Sequence, residues 1–60
     1  MVHIYVEDMQ ISDGDLIASK LSNHSLQAEI LSDQKVIRCK VSDAEEIMDI
    51  LHNVGLTPSI

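Results

Sequence analysis

Residues Ser12 to Ile30 recur without a gap as Ser42 to Ile60. Ser12, Asp13, Ile17, Leu21, Asn23, Leu26 and Ile30 meet Ser42, Asp43, Ile47, Leu51, Asn53, Leu56 and Ile60, which is seven identities in nineteen positions. Their spacing is that of a helix followed by a strand. A capping serine comes first, Ile and Leu stand four apart on one helical side, and Leu and Ile return at alternating parity. A chain of 60 residues built from two such halves is one domain, with repeat halves 1–30 and 31–60.

A strand precedes each helix. Val2, Ile4 and Val6 alternate with His3, Tyr5 and Glu7, the period of a strand with one face on a core, so the first strand is read over residues 2–7. Lys35 to Val41 alternates as clearly, with Ile37, Cys39 and Val41 on the core side and Val36, Arg38 and Lys40 opposite. A short strand over Gln27–Leu31 leads into it through Ser32, Asp33 and Gln34, a hairpin turn by composition. The last five residues correspond to that short strand, but Pro58 has no amide proton and confines them to an edge.

The helices are read from their caps and stripes. Ser12 caps a helix over residues 13–23, whose inward side carries Gly14, Ile17, Ala18, Leu21 and His24. Glycine in that first turn calls for close packing or a mobile turn. Ser42-Asp43-Ala44-Glu45 is a full capping box, and Ala44, Ile47, Met48, Leu51 and Val54 form the inward stripe of the second helix. Gly55 stands where a left-handed stop belongs.

Two β-α-β units predict an α+β fold, a ferredoxin-like βαββαβ sandwich. Two helices cover one face of a small antiparallel sheet, and the fourth strand is short or absent. In this reading the central first and third strands are parallel neighbours. Both helix N-termini then meet at one end, gathering Glu7, Asp8, Asp13, Asp15, Asp43, Glu45 and Glu46. The opposite sheet face stays open, lined by His3, Tyr5, Gln27, Glu29, Leu31, Val36, Arg38 and Lys40. The layout resembles that of small regulatory ferredoxin-like modules, which share the capped second helix and its terminal glycine. The chain carries neither the CxxC of metal-chaperone relatives nor the basic loop of acylphosphatase relatives.

Composition narrows the partners. Four basic against ten acidic residues give a net charge of −6, which opposes attraction to nucleic acid and to anionic membranes. The single Cys39 forms no disulfide framework, no transmembrane-length stretch occurs, and the first fifteen residues hold four carboxylates. The expectation is a soluble, cytoplasmic protein, with Met1 and the closed repeat fitting a whole chain. With Tyr5 as its one aromatic residue, the core must be almost wholly aliphatic. Such a chain gains from association, because it buries only about 60% of its unfolded surface by itself.

No catalytic, cofactor or metal motif is present. The acids have no calcium-loop spacing, and they stabilise first helical turns without any ion. One aromatic residue is too few for an RNA-reading sheet. Cys39, flanked in its strand face by Ile37 and Val41, reads as core. The expected function is a non-enzymatic protein-binding or regulatory module that works through Tyr5, Leu31, Val36, Arg38 and Lys40, with another protein or a second copy (a homodimer) as partner. One alternative is an acidic inhibitor of the phage or mobile-element type, which presents Asp43, Glu45, Glu46 and Asp49 to a basic protein surface. The other is a small-ligand-binding domain.

Overall fold

The structure, a computed structural model, describes all residues from Met1 to Ile60. In chain order it contains β1 (Val2–Val6), α1 (Asp13–Asn23), β2 (Ala28–Leu31), β3 (Val36–Cys39), α2 (Ala44–Asn53) and β4 (Pro58–Ser59). The four strands form one sheet in the order β2-β3-β1-β4, antiparallel throughout. This is the ferredoxin-like arrangement, with a fourth strand of two residues.

β1 and β3 are antiparallel, not the parallel pair expected. Ile4 faces Ile37 and Tyr5 faces Val36 in that register. The reason is topological. The α1 crossover makes β2 parallel to β1 one strand away, and β3 turns back from β2 into the gap, opposite to both. The same rule turns α2 against α1, so the helix N-termini lie at opposite ends and the acids are not gathered. His24, at the end of α1, has its Nδ1 3.7 Å from Oε2 of Glu46 in the first turn of α2.

Ile4, Val6, Ile37 and Cys39 project from the two central strands into a core closed by Ile17 and Leu21 of α1 and by Ala44, Ile47, Ile50 and Leu51 of α2. Met9, in the β1–α1 connection, is fully buried among them. Both helices sit on this one face: α1 packs on β2, while α2 packs on β1 and β4, and the two touch each other. The inward side of α1 is narrower than its periodicity suggested, because Ala18 and His24 are exposed. That of α2 is wider, with Ile50 buried and Met48 half-buried.

The helix starts differ from the predicted caps. Neither Ser12 nor Asp43 makes a side-chain cap bond. The Asp13 carboxylate instead accepts the Gln10 N–H at 2.9 Å. Ahead of α2, Val41–Asp43 forms a 3-10 turn in which the Asp43 N–H donates to the Lys40 carbonyl at 3.0 Å. Ser42 is therefore inside a turn, and Val41, expected in the core, is 74% exposed. The helix ends match each other closely. Leu26 N–H bonds to Leu21 C=O at 2.8 Å and Leu56 N–H to Leu51 C=O at 3.0 Å, each closing a left-handed stop. The left-handed residues at these two helix ends are Ser25, with φ 58°, and Gly55, with φ 90°, at equivalent repeat positions.

Candidate functional site

The register of three strands orders the uncovered sheet face into rows. Leu31 pairs with Val36 and Val36 with Tyr5, which makes an apolar row across β2, β3 and β1. Tyr5 in turn pairs with Ser59 of β4. Two residues along, Glu29 pairs with Arg38 and Arg38 with His3, a polar row parallel to the first. Side chains two apart in a strand share a face, so the rows adjoin.

Together with Gln34 from the hairpin turn, these residues line a shallow depression of about 520 Å³. Tyr5 is 51% exposed, and Leu31 and Val36 are half-buried. Arg38 Nη1 donates to Glu29 Oε1 at 2.8 Å, while its Nε is buried without a partner. The pair is open to solvent and adds at most about 1 kcal/mol to stability. Its larger effect is on charge, since it neutralises the one carboxylate that lines the depression.

Of the residues expected on this face, His3, Tyr5, Glu29, Leu31, Val36 and Arg38 come together. Lys40 does not join them: β3 ends at Cys39, and Lys40 is exposed at the entry to the 3-10 turn. Gln27 lines a separate groove beside α1. Gln34, a turn residue by composition, reaches the rim of the depression from the β2–β3 hairpin. Gln34 N–H donates to the Leu31 carbonyl at 3.0 Å.

The acids expected to converge are spread over the surface. Glu7 and Asp8 line a polar cleft with Thr57 and Ser59, where Asp8 Oδ1 accepts the Thr57 N–H at 3.1 Å. That bond holds the Asp8 carboxyl below its ordinary range. Glu45, Glu46 and Asp49 are exposed on α2, and Asp43 is half-buried at its start. No three His, Cys, Asp or Glu side chains stand close enough to hold one ion.

Cys39 is fully buried, and burial, reinforced by the Asp43 charge, pushes its thiol up. A neutral buried thiol packs as a small apolar group. No helix is long and apolar enough to cross a membrane. Comparison with known protein families, with curated proteins and with solved structures finds no match.

Proposed function

We propose that this chain is a small acidic, non-enzymatic binding module that holds a partner protein against the outer face of its sheet. The observation that carries the reading is the row Leu31, Val36 and Tyr5, left uncovered beside the row Glu29, Arg38 and His3. An apolar centre with a polar border is the composition of a protein interface, and tyrosine and arginine are the side chains that most often anchor one. The placement of charge supports it. Of the ten carboxylates, only Glu29 lines this depression, and Arg38 neutralises it. A partner can therefore dock there without pairing acid with acid.

The experiment is affinity capture from host lysate with wild type beside two double variants. Tyr5→Ala/Val36→Asp removes the anchor and places a charge in the row. Glu45→Lys/Glu46→Lys reverses the α2 acids. Loss of the captured protein with the sheet variant alone is the expected result. Retention with that variant refutes the sheet face as the site.

A second reading has one observation in its favour. Glu45 and Asp49 stand one turn apart on α2, exposed and free of any ion pair, as a surface presented to a basic partner would be. An acidic inhibitor acting this way would lose its target with the helix variant and in moderate salt.

A further inference from the structure

The two edges of the sheet are treated differently by the sequence. β4, at one edge, has two residues and carries Pro58. β2, at the other, has four residues, Ala28-Glu29-Ile30-Leu31, with no proline or lysine. Free edges are ordinarily blunted by such residues, since an unpaired ladder invites another strand. Pro58 occupies the repeat position of Ala28. The chain thus blocks one edge and leaves the matching position of the other edge open.

Which backbone groups are free on β2 follows from the ladder. Val6 N–H donates to Lys35 C=O at 2.9 Å, so alternate residues Lys35, Ile37 and Cys39 of β3 bond toward β1. Val36 and Arg38 then bond toward β2, to Leu31 and Glu29. The amides and carbonyls of Ala28 and Ile30 point outward from the sheet. By the same alternation Pro58 lacks its N–H on the outward side of β4.

Beside the free edge runs a groove of about 490 Å³, whose walls include Ala18, Leu21 and Ser22 of α1, then Leu26, Ala28 and Ile30. None of its lining residues is charged, in a chain of net charge −6. A basic partner finds nothing to pair with in this groove. A second acidic copy finds there a surface without carboxylates.

We propose that β2 pairs antiparallel with β2 of a second copy, and that each groove receives the other's Ile30. The register is set by charge. Centring the two-fold on Glu29 would place two carboxylates directly opposite in a close pair, which is unfavourable. Centring it on Ile30 sets Glu29 against Leu31 of the second copy and Ala28 against Ser32. It also makes Ile30 a hydrogen-bonded pair, as the outward ladder requires. The product is a continuous eight-stranded sheet with both open faces on one side. The inference stands on the edge and its groove, independently of what binds the sheet face.

The test is the solution mass by sedimentation equilibrium from micromolar to millimolar protein, with circular dichroism as the folding control. Wild type should reach twice its 6.7 kDa chain mass. Ala28→Pro copies Pro58 onto the open edge, and Ala18→Glu puts a carboxylate in the groove on an exposed helical position. Each should return the mass to one chain with the wild-type spectrum. Should Ala28→Pro fail to fold, Ala18→Glu decides alone. Tyr5→Ala/Val36→Asp should leave the two-chain mass unchanged. A single-chain wild type at millimolar concentration, two-chain masses for both folded variants, or dissociation by the sheet-face variant would each overturn the proposal.

Discussion

Replacing Gly14 with alanine should stabilise the protein, although a Cβ built there lies only 2.7 Å from the Ser32 hydroxyl oxygen. Two effects oppose each other. In a helix, alanine is favoured over glycine by about 0.5–1 kcal/mol, chiefly because glycine loses more backbone freedom. Against this stands the clash, but the atom met is the free end of a serine side chain. Ser32 Cβ itself is 3.9 Å away, an ordinary contact. The Ser32 hydroxyl takes part in no side-chain hydrogen bond, so rotation about its Cα–Cβ bond clears the space without losing one.

Gly14→Ala should therefore gain roughly 0.5 kcal/mol, the lower figure reflecting its place in the first turn. In a Ser32→Ala background, where nothing has to rotate, the gain should approach about 1 kcal/mol. For a domain this small each kcal/mol moves the melting temperature by about 4–8 °C, well within reach of thermal and urea denaturation. Destabilisation by Gly14→Ala in both backgrounds would refute the reasoning. It would mean that the backbone of the β2–β3 turn, not the hydroxyl, is what α1 rests against.

Ser25→Gly should raise stability by about 1 kcal/mol, because it removes a left-handed side chain at the position its repeat fills with Gly55, and Gly55→Ala should lower it by a similar amount; urea midpoints check both. Ile47→Ala, at a fully buried core position, should cost about 2–5 kcal/mol. A chain of this length has only about 3–9 kcal/mol in all, so the dichroism of that variant should show a largely unfolded population at modest urea. Acid titration should find a contribution from Asp8 that is present above its ordinary pKa of 3.8 and lost as pH falls through the lower folded value, because the Thr57 N–H bonds the ionised form. Asp8→Asn should flatten that part of the acid limb, and an unchanged limb would contradict the role of the bond.

The repeat made the helices and their ends legible, since Leu21, Leu26, Leu51 and Leu56 mark the same stop twice. It could not place the strands ahead of the helices. Six residues separate β1 from α1 and four separate β3 from α2, and the longer connection carries Met9 into the core, a burial that no period signals. Strand parity placed Tyr5, Leu31, Val36 and Arg38 on one face, because alternation is local. Strand direction depends on where the hairpin returns, which is a property of the whole chain, and so the antiparallel central pair and the separated acids both follow from a feature that no local period carries. The capping box expected at Ser42 does not form, for a different reason. Ser42 has the right spacing, but the chain leaves β3 at Cys39 and needs a 3-10 turn to reach the line of α2, which takes the serine out of the cap position.

The most direct measurement of the central claim is amide hydrogen exchange on the recovered complex compared with the free protein. Protection gained on β1 and β3 around Tyr5, Val36 and Arg38, with α2 unchanged, is what a partner seated on the sheet face predicts. Protection confined to Glu45, Glu46 and Asp49, with the sheet face exchanging as before, would contradict it.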